Sequence, residues 1–285
     1  GDFALRVGVD MHIRFPRVWA AMVWAAVGLA GFAARADEKA LWILWNKQAE
    51  SPSNHVELLD LCARYERSFP GDPFLPVVRG IESWHLLAAG RTGAAQTNLL
   101  TLLSAATDPL SRAGDRMAKA WLTRLDRERV RAALTRIYAQ RVMFPDSLNE
   151  LNDLPVDQRP PLMDRWGRPW VYRLTDFKRL PGIKKSRYRL ESSEVMGRTD
   201  LALALQTPYA ARITLRPQRL VTAVGTVKSV QFETAGPKVE KPVLTEGSDF
   251  QGQAFVHLGS TLLLLSDGDH WKVLPWPPKP GGKGP

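Results

Sequence analysis

From residue 37 to about residue 142, apolar side chains recur at three- and four-residue spacing with almost no alternation, which predicts helices throughout. The pattern breaks at Ser51-Pro52-Ser53-Asn54, Phe69-Pro70-Gly71-Asp72-Pro73, Gly90-Arg91-Thr92-Gly93 and Thr107-Asp108-Pro109, where helix-stopping and helix-capping residues stand together. Between the breaks the apolar faces fall on Leu41, Leu44 and Trp45, and then on Leu58, Leu61, Cys62 and Tyr65. They continue on Val77, Val78, Ile81, Trp84, His85 and Ala88, and on Leu99, Leu100, Leu102 and Leu103. Val56 and Leu59 belong to the same pattern as Cys62. Short connections make successive helices antiparallel neighbours. A longer amphipathic helix is expected from Arg112 to Arg141, with Met117, Trp121, Leu122, Leu125, Val130, Ala133, Leu134, Ile137 and Tyr138 on its apolar side. Charge pairs around Asp126 and Glu128 decorate the other side.

Beyond residue 210 the period shortens. Strands are expected at 211–215, 220–224, 227–232, 242–244, 254–258, 261–265 and 271–274. Turns at Gly225, Gly236-Pro237, Gly247, Gly259 and Ser266-Asp267-Gly268-Asp269 separate them. The class is therefore α+β: a helical hairpin array over 37–111, a helix-plus-strand module over 112–205, and a small antiparallel sheet or barrel over 206–275. Residues 276–285, rich in proline and glycine, are expected to form a disordered tail.

Ahead of residue 37, Arg14 and Arg17 precede an apolar run from Val18 to Ala34 and the small-residue triplet Ala34-Arg35-Ala36. That order is the layout of a secretory signal peptide cleaved after Ala36, with residues 1–10 lying upstream of a start at Met11. The arginines hold the leading end in the cytoplasm, so the expected location is exported and periplasmic. An uncleaved leader would instead anchor the chain to the inner membrane. Net charge is +10, and about +8 after the four arginines and two aspartates of residues 1–36 are removed. A basic surface suits acidic partners or a membrane surface. With no Lys/Arg-rich run, no nucleic-acid partner is expected. Cys62 is the only cysteine, which rules out an intrachain disulfide, and its apolar neighbours mark it as a buried small hydrophobe.

Two stretches carry resemblances. Trp84, Leu87, Gly90, Ala94-Ala95 and Pro70 stand near the pattern positions of tetratricopeptide-type repeats, which the region from about Ala40 to Ala106 resembles; such arrays bind partners. More specific are Phe144-Pro145-Asp146-Ser147-Leu148-Asn149-Glu150-Leu151 and Asp164-Arg165-Trp166-Gly167-Arg168-Pro169-Trp170-Val171-Tyr172. In the first, Asp146 and Ser147 are candidate caps for a short helix. In the second, Gly167 permits a positive φ, Pro169 fixes the entry to a strand, and Asp164 accepts backbone N–H groups of the turn. Together with the preceding long helix, residues from about 126 to 189 resemble the globular C-terminal part of the major pseudopilins of type II secretion systems. The resemblance implies a pseudopilin-like α/β module and envelope or secretion-system proteins as partners. It also implies a calcium loop, for which Glu191, Glu194 and Asp200 are the available carboxylates. In pseudopilins the apolar helix stays on the mature chain as the fibre spine, whereas here it precedes Ala36, which points to an exported relative and away from a fibre subunit. The order Leu244-Thr245-Glu246-Gly247, Phe250-Gln251-Gly252, Leu262 to Leu265 and Ser266-Asp267-Gly268 also looks like the small periplasmic β-domains of secretion and pilus inner-membrane components.

The competing reading of the second stretch is a stacking platform of Trp166, Trp170 and Tyr172 for carbohydrate or peptidoglycan. Enzyme signatures are missing: there is no Gly-x-Ser-x-Gly, no His-Glu-x-x-His and no phosphate-cradling glycine loop. His12, His55, His85, His257 and His270 lack ligand spacing; His85 reads as packed, and His270 with Asp269 as solvated in a turn. A non-enzymatic interaction or scaffold protein without a cofactor is the leading expectation, and an enzyme with an unrecognised site is the third.

Overall fold

The computed structural model describes residues 37–105, 107–175, 187–225, 227–235 and 238–278. The expected leader with Ala34 and Ala36, the expected turn at Gly236-Pro237 and residues 279–285 of the expected tail lie outside these described residues. No helix among the described residues is long and apolar enough to cross a membrane.

The class is α+β. Four helices come first: α1 (Glu38–Glu50), α2 (His55–Ser68), α3 (Leu75–Ala88) and α4 (Thr92–Thr101). Asp37 caps α1 by accepting from Ala40 N at 2.9 Å, and Asn54 caps α2 through Glu57 N. Gly90, at φ +73°, turns the chain from α3 into α4. Leu58, Cys62, Val77, Val78, Ile81, Ala95 and Leu99 are buried between the helices, while Val56, Leu100 and Leu103 face solvent. Cys62 is buried and unpaired.

The long helix α5 runs from Pro109 to Arg141, three residues earlier than expected. Asp108 accepts from Ser111 N at 2.9 Å and Pro109 occupies the first turn, so the residues that read as a break are the helix's own cap. Its outward side was expected to carry Asp126, which is buried instead, as is Arg124. A short 3-10 helix follows at Leu148–Asp153, capped by Ser147 through Asn149 N and not by Asp146. Strands β1 (Val171–Thr175) and β2 (Arg187–Glu191) pair antiparallel, and Tyr172, Tyr188 and Leu190 pack with Val130, Leu134, Ile137, Leu151 and Trp170 into one cluster on α5.

After a single-turn α6 (Leu201–Gln206) come β3 (Arg216–Val224), β4 (Val227–Glu233) and β5 (Val243–Thr245), hydrogen-bonded in that order. A second antiparallel sheet runs β6 (Asp249–Phe250), β7 (Gln253–Leu258), β8 (Leu262–Ser266) and β9 (Trp271–Pro275). Val230, Phe232 and Leu244 of the first sheet share a core with Phe255, Leu258, Leu263 and Leu265 of the second. Residues 211–215 are not a strand. Ile213 and Leu215 are buried there as an irregular segment whose amides at Thr214 and Leu215 donate to the Gln253 side chain, at 2.6 and 3.1 Å, in place of a ladder. Trp276, assigned to the tail from sequence, is part of the body: its N–H donates to Thr261 O at 2.8 Å and its ring packs on this core.

The first helix is clamped to the last sheet. Glu38 accepts from the N–H groups of Ser260 and Thr261 at 2.8 and 2.6 Å and from the Thr261 hydroxyl at 2.6 Å. Burial opposes the charge on Glu38, but the Thr261 hydroxyl and the two amides outweigh it and hold the carboxyl below its usual range. A group so depressed stabilises the fold above its unfolded pKa, and that contribution is lost as pH falls through the folded value. A Cβ at Gly259 would lie 2.3 Å from the Glu38 carboxylate, so Gly259→Ala is expected to push the clamp open. Because Glu38 is largely solvated, Glu38→Gln should cost no more than about 1 kcal/mol at neutral pH. Urea midpoints of wild type and Glu38→Gln should converge near pH 3; equal separation at pH 3 and pH 7 would contradict the clamp.

Candidate functional site: an aromatic and histidine cleft

The turn singled out in the sequence is stitched into the body. Asp164 is buried; its Oδ1 accepts from Trp166 N and Arg168 N, both at 3.0 Å, and its Oδ2 accepts from Ser192 Oγ at 2.6 Å. Gly167 has φ +75°, and its N–H donates to Asp164 O at 3.0 Å. Trp170 is only 6% exposed and donates through Nε1 to Pro161 O at 2.9 Å, while Tyr172 donates its hydroxyl to Pro145 O at 2.8 Å. Trp166 is half-buried, and Pro169 is exposed at the turn's edge. The stacking platform is therefore not formed: Trp170 has no free face, and the polar ends of Trp170 and Tyr172 serve the fold.

The calcium expectation is not met either. Glu191 pairs with Arg189 at 2.8 Å, Glu194 pairs with Arg168, and Asp200 pairs with Arg127 at 2.9 Å while capping α6 through Leu203 N. Each carboxylate already faces an arginine. Among the described residues no group of three or more His, Cys, Asp or Glu side chains could hold a metal ion.

Asp269 and His270, expected in solvent, are buried at the centre of a charge network. The β8–β9 turn is drawn inward because Arg124 of α5 is fully buried. Its guanidinium lies 4.4 Å from the Trp121 ring centre, donates to Asp269 Oδ1 at 2.7 Å and donates through Nε to Arg198 O at 2.8 Å. Arg198 reaches Asp269 Oδ2 at 2.9 Å, and Arg212 bridges Asp269 and Asp267. Trp121 Nε1 donates to Asp269 O at 2.8 Å. Burial opposes ionisation of Asp267, yet His270 and then Arg212 hold its carboxyl well below the usual range. The sequence carried one signal of this arrangement: Arg124 stands three residues after Trp121 and seven after Met117, on the apolar stripe.

In front of this network opens a cleft of about 430 Å³, lined by Pro52, His55, Trp84, Leu205, Pro208 and Tyr209. Trp84 stands edge-on to Tyr209, with ring centres 5.3 Å apart, and Tyr209 stands edge-on to His270 at 4.8 Å. His55 Nδ1 lies 2.9 Å from His85 Nδ1, and His85 Nε2 meets Gln48 Oε1. With Gln48 Oε1 as acceptor, His85 carries its proton on Nε2 and accepts on Nδ1. His55 then donates from Nδ1 and, when neutral, keeps an Nε2 lone pair for a donor entering the cleft. Neither the histidine pair nor the approach of Tyr209 is legible in the sequence, because the partners lie 30 residues apart and on separate elements.

Burial, and then the neighbouring His55 ring, push His85 down to about 3. Between its ordinary value near 6.5 and about 3, the unfolded chain binds a proton on this ring that the folded chain refuses, so stability falls as pH falls through that window. His85→Gln is expected to flatten this part of the stability profile; an unchanged slope between pH 6 and pH 4 would contradict the assignment.

The second uncovered feature is the β3–β4 hairpin. All of β3 except Pro217 is exposed, with Leu220 at 44%, Val221 at 47% and Val224 at 70%, and β3 is an edge strand. Compared with protein families, with curated proteins and with solved structures, the chain has no match.

Proposed function

We propose that this is an exported, non-enzymatic interaction protein of the envelope, an accessory of a type II secretion or pilus-like machine. The observation that carries the interaction role is β3, a nine-residue edge strand with apolar side chains open to solvent. An edge of this kind presents unpaired main-chain groups and invites an added strand from a partner. The secretion setting rests on the pseudopilin resemblance of residues 126–189, within a chain read as a tetratricopeptide-like array over 37–111, a pseudopilin-like α/β module over 112–205 and a small β-module over 206–275. The test is affinity capture from envelope extracts with the full chain and with Val221→Lys/Val224→Lys. Recovery of a pseudopilin or another secretion component by wild type, and its loss with the lysine variant, is expected. A folded wild-type protein that recovers no such component would sink the reading.

A second reading, carbohydrate or peptidoglycan binding, is favoured by the cleft of Trp84, Tyr209 and His55, whose volume lies in the range of small-ligand sites. Tryptophan fluorescence titrated with cell-wall fragments separates the readings. Saturable quenching that His55→Ala abolishes supports the cleft, and an unresponsive signal removes it.

A further inference from the structure

We propose that the cleaved N-terminus is captured by a carboxylate the fold holds ready for it, that of Asp72; the inference rests on the exported reading and names how export is recorded in the folded body. Asp37 follows Ala36 directly and is the first residue of the compact unit that contains all the helices and sheets. Its backbone nitrogen donates to Asp72 Oδ2 at 2.8 Å. Asp72 is buried, and its Oδ1 accepts from Phe74 N at 2.7 Å. That bond to Phe74 is an ordinary Asx turn and accounts for one carboxylate oxygen. It does not account for the second oxygen, which accepts from the residue 37 amide, with the neutral Tyr65 hydroxyl beside the same carboxylate. Among the described residues no lysine, arginine or histidine makes an ion pair with Asp72. A buried carboxylate without a cation is costly, and the missing cation is made by processing.

Hydrolysis of the Ala36–Asp37 bond by a signal-peptide endoprotease consumes one water, leaves a carboxylate on Ala36 and an amine on Asp37, and the amine takes a proton at neutral pH. The neutral amide donor at 2.8 Å becomes an ammonium in the same place, and the hydrogen bond becomes a partly buried ion pair. The start of α1 by itself disfavours a positive charge, because the helix dipole is positive there. Carboxylates offset it: Asp72, the Asp37 side chain that caps α1, and Glu38 in the first turn. The other ionisable groups around the pocket are Tyr65 on α2, and His257 with its partner Glu246 beside Phe74. Burial first and Asp72 second push the Tyr65 hydroxyl up, so its phenol remains neutral and supplies no competing charge.

The experiment uses the full chain expressed in an exporting bacterium. Intact mass of the periplasmic product should place its first residue at Asp37. The α-amine, marked by reductive ¹³C-methylation and titrated by NMR, should ionise about one unit or more above the ordinary range of roughly 7.7–8.0. A raised amine stabilises the fold fully below its unfolded pKa and loses that contribution as pH rises through the folded value, so melting temperature should fall between about pH 8 and pH 10. In Asp72→Asn the amine should return to the ordinary range and the alkaline decline should flatten. A mature start at another residue would overturn both the leader and the capture. A start at Asp37 with an ordinary amine, equal in wild type and Asp72→Asn, would overturn the capture alone, and the titration of wild type decides even if the variant fails to fold.

Discussion

Asp269→Ala is expected to destabilise the protein by about 3–5 kcal/mol, because it strands a fully buried guanidinium. Arg124 has no exposed surface, and its one carboxylate partner among the described residues is Asp269, at 2.7 Å. The two other arginines on the same carboxylate, Arg198 and Arg212, would be left facing Arg124, with only Asp267, held by Arg212, as a remaining counter-charge. Arg124→Met is expected to cost less. It removes the buried charge together with its need, and it leaves Asp269 neutralised by the remaining two arginines. Urea unfolding of both variants decides the matter, and equal losses would mean that packing against Trp121 and not charge sets the cost. Burial opposes ionisation of Asp269, but Arg124 and then Arg198 hold its carboxyl below the usual range, so the network stabilises the fold above the unfolded pKa and is lost as pH falls through the folded one. Salt should change the wild-type midpoint little, since the pair is shielded from solvent.

The same network separates features of the fold that are local in the sequence from those that are not. Helix breaks at Ser51–Asn54 and Phe69–Pro73 and strand turns at Gly225, Gly247 and Gly259 were legible because capping and turn chemistry is local. Buried partners were not. Ser266-Asp267-Gly268-Asp269-His270 has the composition of a solvated turn, and nothing within it reveals that Arg124, about 145 residues earlier, waits beneath it. Asp126 is buried for a similarly long-range reason: its partner Arg165 arrives from the turn, donating through Nη2 at 3.2 Å. The irregular run at 211–215 has strand-like residues, yet Gln253 takes its amides, so tertiary contact overrides local preference there. The cleft was unreadable because Trp84, His55 and Tyr209 belong to two helices and a loop, and each alone reads as an ordinary core or surface residue.

The turn around Asp164 was the most informative stretch of the sequence, and its substitution tests what kind of information it held. Asp164→Ala removes the acceptor of two backbone amides and of the Ser192 hydroxyl in a buried site, which should cost roughly 3 kcal/mol, given about 1.5–3 kcal/mol for a hydrogen bond to a charged group and the penalty for orphaned donors. Asp164→Asn keeps an oxygen for Trp166 N and Arg168 N and turns an amide toward Ser192 Oγ, which can accept, so most of the stability should survive. A residue kept for its charge in ligand binding would lose its role in both variants alike. The decisive comparison is thermal unfolding beside capture of secretion components. Asn near wild type in both, with Ala unfolding early, assigns the turn to architecture. Asn as unstable as Ala would show that the negative charge itself, and not the acceptor geometry, holds the turn against α5 and the Ser192 loop.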